Sequence, residues 1–445
     1  MSTSRSCRPL PAAALALLLV GGSAAPAPAA ECDRGGCGRI ACGTPALPVP
    51  ATFWGGLQPV DTAFTLCTKS GPVGCRDSTA FDEFREFYNN FPWFMGLDIE
   101  NGYILLAAAH GLQIWDTRPD PAHPLLLGRI ASSAFPVQHD SAEIKWPLRD
   151  IDSPPGVDTV TAVAGDGGIG LVVLDTSNKG RPLVHYQSFQ KSSEQVYTGT
   201  VGGRHLAFLA AHGGGAGGGL YAYDLDKART FARCSEGAPA TGFGVACPGV
   251  YLGKIGNRNP VNFVDGVDEF VVLSAGAGRG FEIWNVTDPV AEQLEMAALS
   301  NRAVYGVAMW KQDSAYYLAL RSEFFDQAQR RLIHEGQIYD VSCIAGPGAC
   351  GSLGAPLWKK ELDSGTVNLF VTFSRGGSVP FLHFGSDNKC SGGTREWVFD
   401  VRNPQSPVDL SPPGYWSWYF RGSPTGFNNI MPRAAKFHGS YLYRT

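Results

Sequence analysis

The chain has 445 residues, a formal net charge of −4 and 17% charged residues, a balance that argues against a polycationic nucleic-acid surface. Forty-four per cent hydrophobic residues over this length suffice for a sizeable core, while 55 glycines and few long helical patterns point to short strands and tight turns. No stretch after the N-terminus approaches the 18 or so apolar residues of a spanning helix.

Residues 1–30 read as a secretory leader. Arg5 and Arg8 give a basic start, Ala13–Val20 a short apolar run, and Ala27-Pro28-Ala29 the small residues of a cleavage site. Glu31 stands before Cys32, where a lipid-anchoring signal needs a small residue. Export without a membrane anchor is expected, to the extracellular space, the periplasm or the cell surface. Residues 31–50 form a Cys-, Gly- and Pro-rich tail, and residues 51–445 are expected to form one domain.

With Cys7 lost in the leader, ten cysteines remain, an even number that favours disulfides in an exported chain. Cys67 with Cys75, Cys234 with Cys247, and Cys343 with Cys350 are expected pairs, each closing a loop containing Gly and Pro. Cys390 would then reach the cluster Cys32, Cys37 and Cys42, with its connectivity open. No C-x-x-C pair occurs, so a metal site is not expected there.

Residues 51–55 and 62–66 have the character of outer strands. Residues 77–90 read as a short amphipathic helix, with Phe81, Phe84 and Tyr88 on one face and Thr79 with Asp82 as a capping box.

From residue 91 a repeat takes over. A glycine (Arg395 in the last copy), an apolar-polar-apolar alternation and an Asp or Asn recur six times, closing at Asp116, Asp175, Asp224, Asn285, Asp340 and Asp400. The spacing of 49 to 61 residues is that of a four-stranded propeller blade with its loops. Strand-like pairs precede each motif, as in Phe94–Ile99 and Tyr103–Ala107 around Asn101-Gly102, a strong hairpin signal. A Pro-rich turn and a fourth strand follow. The repeated Asp is read as structural, since its side chain can bond the backbone two residues on and start that turn. Residues 433–444 look like the first hairpin of a further blade. The expectation is an all-β propeller of seven four-stranded blades closed by N- and C-terminal strands, with six as the alternative.

The motif resembles the LVIVD-repeat β-propellers of bacterial exported proteins, most closely at Gly111–Pro124 and Gly280–Pro289. The resemblance covers about residues 91–410 and implies the fold without implying a chemistry. The blades here are long, and the fifth lacks the leucine after Gly336.

Two functional readings follow. The first is a binding module, expected to be a monomer, that meets an unknown protein or glycan through its loop face and uses no cofactor. Its contacts are sought in the aromatic insert at residues 414–429, with Tyr415, Trp416, Trp418, Tyr419 and Arg421, and at nearby Arg433; such rings can stack on sugars, other rings or cations. The alternative is a hydrolase or lyase, with or without a metal, at the channel mouth. Its candidate residues are His110, His212, His139, Arg149, Asp150 and Asp166. Arg279, Arg321 with Glu323, and His383 fall on turns of the same face. A structural calcium at Asp387 and Asn388 is compatible with either reading. No G-x-S-x-G, H-E-x-x-H or P-loop is present, and the glycine run Gly213–Gly219 lacks the strand-to-helix context of a dinucleotide fingerprint.

Overall fold

The computed structural model describes residues 94–444, except 109–110, 122–123, 132–147, 166–167, 189–192, 213–217, 237–244, 257–259, 275–278, 347–349, 363–369, 377–378, 386–396, 411–434 and 439–440. The leader, the tail, the 77–90 segment and the strands proposed at 51–66 lie outside these residues, as do Cys32, Cys37, Cys42, Cys67, Cys75 and Cys390.

The described chain is a β-propeller. Blade 1 is β1 (Phe94–Glu100), β2 (Tyr103–Ala108), β3 (Gly111–Asp116) and β4 (Leu125–Ala131). Blade 2 is β5 (Leu148–Asp152), β6 (Val160–Gly165), β7 (Gly170–Asp175) and β8 (Leu183–Gln187). Blade 3 opens with β9 (Ser193–Val201), β10 (Arg204–Ala211) and β11 (Gly219–Asp224). Its chain then runs through a short helix α1 (Leu225–Ala228) and two short strands, β12 (Cys234–Ser235) and β13 (Val245–Ala246). It returns as the blade's outer strand β14 (Tyr251–Ile255).

Blade 4 is β15 (Phe263–Val267), β16 (Phe270–Ser274), β17 (Phe281–Asn285) and β18 (Gln293–Ala298). Blade 5 is β19 (Ala303–Gln312), β20 (Ala315–Asp326), β21 (Arg331–Asp340) and β22 (Trp358–Leu362). Blade 6 is β23 (Val371–Gly376), β24 (Val379–Phe384), β25 (Trp397–Asp400) and β26 (Val408–Asp409).

A two-stranded hairpin, β27 (Ala435–His438) and β28 (Tyr441–Arg444), packs between β23 and β1. Six four-stranded blades are thus present among the described residues, the alternative count rather than the preferred seven. The difference arises at the ring's last position, which the C-terminal hairpin fills with two strands; the N-terminal strands expected to complete it lie outside the described residues.

The core is partitioned between blades. One apolar cluster joins blades 1 and 2 through Ile114, Leu148 and Val172, and another joins blades 2 and 3 through Val173, Tyr186 and Tyr223. Similar clusters seal blades 3 to 4, 4 to 5 and 5 to 6. Each sheet is covered on both faces, so its middle strands are almost continuously apolar, as in β6 and β16.

The repeat motif acts locally as its sequence implies. Asp116, Asp175, Asn285, Asp340 and Asp400 each accept the N–H two residues on, at 2.8–3.0 Å. Asp224 instead caps α1, accepting from Lys227 N–H at 2.8 Å. In the first hairpin Asn101 and Gly102 adopt φ of 49° and 79°, the positive pair a type I′ turn requires. At Gly280, with φ of 64°, a Cβ would sit 1.9 Å from the Ala298 carbonyl oxygen, so only glycine fits.

Two of the expected disulfides are formed, Cys234–Cys247 and Cys343–Cys350. The first lies in the strap between β11 and β14. Here β12 pairs in parallel with β8 of blade 2, extending that sheet beyond its own fourth strand. The strap therefore covers an open sheet edge, a common device against edge-to-edge association. Among the described residues no helix is long and apolar enough to cross a membrane.

Candidate functional site: the central channel

The first strands of the blades ring the axis. One edge of each pairs with the blade's second strand, which leaves backbone N–H groups on the other edge without a ladder partner. Neighbouring inner strands supply side-chain acceptors in place of a ladder. Asp98 accepts from Ser153 N–H at 2.8 Å, Asp150 from Val196 N–H at 3.1 Å and Gln195 from Val264 N–H at 3.0 Å. Asp152 takes both Thr198 N–H, at 2.7 Å, and Thr198 Oγ1, at 2.9 Å. Asp265 accepts from Met309 N–H at 2.7 Å, and Ser374 Oγ from Phe437 N–H at 3.0 Å. These bonds join successive blades where the ladders cannot. Gly96 permits a close approach of β1 to β5, since a Cβ there would lie 2.5 Å from Asp150 Cα.

Carboxylates consequently crowd the channel. Lys436 of β27 answers them, with Nζ 2.6 Å from Asp98 Oδ1 and 3.2 Å from Asp152 Oδ1. Burial pushes Glu100 up to about 8, with the Asp98 charge adding to it, and lifts Asp265 to about 7. Asp152 rises to about 6 by burial and the nearby Asp98, opposed by Lys436. Burial also drives Asp150 well above the usual carboxylate range. For Lys436, burial disfavours the charged form, but Asp98 and Asp152 outweigh it and hold the ammonium strongly protonated.

At the loop face, where the inner strands begin, Arg149 and His212 converge on Glu194 of β9. Arg149 Nη1 lies 3.5 Å from one carboxylate oxygen and His212 Nε2 3.6 Å from the other. Arg149 is buried, and the other two side chains are partly open. This cluster brings together two of the residues singled out from sequence, through a glutamate that was not. Asp150, their neighbour, turns instead to the β9 backbone.

Blade 5 gathers a second polar group. His334 Nδ1 is 3.4 Å from Glu323 Oε2, and burial followed by the Arg321 charge lowers the imidazole to about 4, so it is neutral. Arg321 is fully buried and sits in register with Gly336, the glycine of the fifth repeat. His383 is buried beside Thr372, and Arg279 is exposed. His110, His139, Asp166, Asp387, Asn388 and the whole aromatic insert with Tyr415, Trp416, Trp418, Tyr419, Arg421 and Arg433 lie outside the described residues. Among the described residues no three His, Cys, Asp or Glu side chains are grouped so as to hold a metal ion.

The channel carboxylates were missed by motif reading because no motif contains them. The available signal was an acidic residue recurring inside an otherwise apolar inner strand, as in Leu97-Asp98-Ile99, Ile151-Asp152 and Val264-Asp265.

Blade 5 also stands taller than the rest. Its β20 and β21 run 12 and 10 residues, against 5 to 8 for the second strands of the other blades. The excess forms a hairpin beyond the loop face. There Phe325 and Leu332 are cross-strand partners, 52% and 40% exposed. Arg331 Nη2 reaches Glu361 at 2.8 Å, and the Arg302 guanidinium stacks 3.9 Å over Phe324.

No protein-family model matches the sequence, and no curated protein shows significant similarity to it. Solved structures similar to this chain include Saccharomyces cerevisiae Sqt1, at 12% identity over 72% of this chain and 73% of that one, with a TM-score of 0.42. A structure described as the Dos1 propeller matches at 11% identity over 73% and 71%, with a TM-score of 0.43. A hypothetical selenium-binding protein from Sulfolobus tokodaii matches at 12% identity over 71% and 77%, also with a TM-score of 0.43. The fold assignment rests on the blades themselves, and these likenesses carry nothing about function.

Proposed function

We propose that this chain is an exported interaction module, a propeller of the LVIVD-repeat kind, that holds a protein or glycan partner on its loop face with the β20–β21 hairpin as the principal contact. The observation carrying this reading is the exposed Phe325–Leu332 pair, held in register on a hairpin that outreaches its own blade. A rigid ladder presenting two large apolar side chains, with charged groups at its flanks, suits a contact in which a few buried anchors supply most of the affinity. The channel acids support the same reading, because Asp98, Asp152 and Asp265 are already engaged by neighbouring backbone N–H groups. The export part of the reading draws on the leader-like N-terminus and the two disulfides.

The test is binding of the mature protein to a glycan panel and to the purified exported proteins of its own source, with Phe325→Ser/Leu332→Ser beside it. The double variant is expected to lose at least tenfold in affinity for whichever ligand the parent binds, with an unchanged melting temperature. Equal affinity in the double variant would remove the hairpin from the contact.

A further inference from the structure

We propose that Arg149, Glu194 and His212 form a second binding site, at the mouth of the channel, that takes the vicinal hydroxyls of a neutral sugar. The site begins with a backbone irregularity that recurs around the ring. Near the loop-face end of four inner strands one residue is inserted with no partner on the second strand. These are Met95 in β1, Arg149 in β5, Glu194 in β9 and Gly306 in β19. A bulge of this kind takes its side chain out of the ladder's alternation and re-aims it, and bulges concentrate at barrel rims and beside functional sites. In blades 2 and 3 the inserted residues carry opposite charges and meet, with Arg149 Nη1 3.5 Å from Glu194 Oε2. His212, one residue beyond β10, brings Nε2 to 3.6 Å from the other carboxylate oxygen.

The three side chains are held from behind. Ser193 Oγ donates to the Gly165 carbonyl at 2.9 Å and Gln195 accepts Val264 N–H at 3.0 Å, so Glu194 projects between two fixed neighbours. Arg149 stands between the fully buried Leu148 and Asp150, which accepts Val196 N–H. Val261 N–H donates to the Ala211 carbonyl at 3.1 Å and fixes the strand end that leads to His212. Arg149 is 8% exposed, whereas Glu194 and His212 are 20% and 26% exposed. A guanidinium seated in the wall, with a carboxylate and an imidazole open beside it, needs little ordering when a ligand arrives.

The composition of the cluster selects the ligand. A free anion would meet Glu194, and a cation would meet Arg149. Neutral vicinal hydroxyls suit both, because each hydroxyl donates one hydrogen bond and accepts two. One hydroxyl donates to the Glu194 carboxylate while its neighbour accepts from an Arg149 N–H, and bonds to ionised partners are roughly twice as strong as neutral ones. His212 lines the other side of the same carboxylate and bounds the space that the sugar ring enters. This contact is separate from the β20–β21 hairpin, and each can fail without the other.

Saturation-transfer NMR of the mature protein with glucose, galactose, mannose and fucose, each alone, tests the site. At least one sugar is expected to show transfer. Its affinity is expected to fall at least fivefold in Glu194→Gln and in His212→Asn, two partly open positions whose variants should melt with the parent. Phe325→Ser/Leu332→Ser is expected to bind the sugar as the parent does. Three results would overturn the proposal: no transfer to any neutral sugar, transfer to glucuronate alone, or an affinity that falls in the hairpin variant and stays unchanged in the other two.

Discussion

Lys436 and Asp98 are 338 residues apart in the chain and 2.6 Å apart in the fold. Their pairing closes the ring, because the last described hairpin meets the first described strand there. Lys436→Met leaves Asp98, 1% exposed, with no ammonium opposite it. Removing one partner of a buried ion pair costs about 3–5 kcal/mol. Lys436 retains 25% exposure, so the lower end, about 3 kcal/mol, is expected in urea unfolding at pH 6. Lys436→Arg keeps the charge and should recover part of the loss.

Asp265 offers a pH test independent of the hairpin. Its carboxyl titrates at about 7 because it is buried, while accepting Met309 N–H. Its contribution to stability declines as pH rises from about 4 to about 7. Asp265→Asn keeps an oxygen for Met309 and removes the titration. Melting temperatures measured from pH 4 to 8 should fall less steeply in the variant, with the curves separating most above pH 7. Parallel curves would show that burial at this position does not couple to protonation.

The strap over blade 2 depends on Cys234–Cys247, a bridge across 13 residues. Loop-closure entropy assigns such a cross-link about 3 kcal/mol, and slightly less, about 2.5 kcal/mol, to the 7-residue bridge Cys343–Cys350. Cys234→Ser/Cys247→Ser should therefore lower stability at least as much as Cys343→Ser/Cys350→Ser. It should also speed amide exchange in Leu183–Gln187, because β12 pairs with β8 at Tyr186 and Gln187. Exchange in β8 that stays at the parental rate would mean the strap holds without its disulfide.

What could be read from the residues alone was local or periodic. The repeated Asp and Asn announced turns because their acceptor bonds close within two residues, and five of the six do so. Asn101-Gly102 announced a hairpin because both residues tolerate the positive φ of a type I′ turn, and the short Cys234–Cys247 and Cys343–Cys350 spacings announced their bridges. The repeat announced a propeller, since a sheet of four strands cannot bury both faces without a neighbour of the same kind. It did not decide the count, because a terminal hairpin and a full blade begin with the same strand pair.

Tertiary structure alone decided the channel. Arg149 and His212 were candidates from their positions in strand and turn, but their meeting on Glu194 depends on how blade 2 abuts blade 3. Asp98, Asp152 and Lys436 belong to three strands with no local relation, and only the closure of the ring brings them within bonding distance. Turn chemistry acts over two residues and is written in the chain. Charge pairing across an axis acts over hundreds, and there the curvature of the ring, not the spacing of the residues, sets the distance.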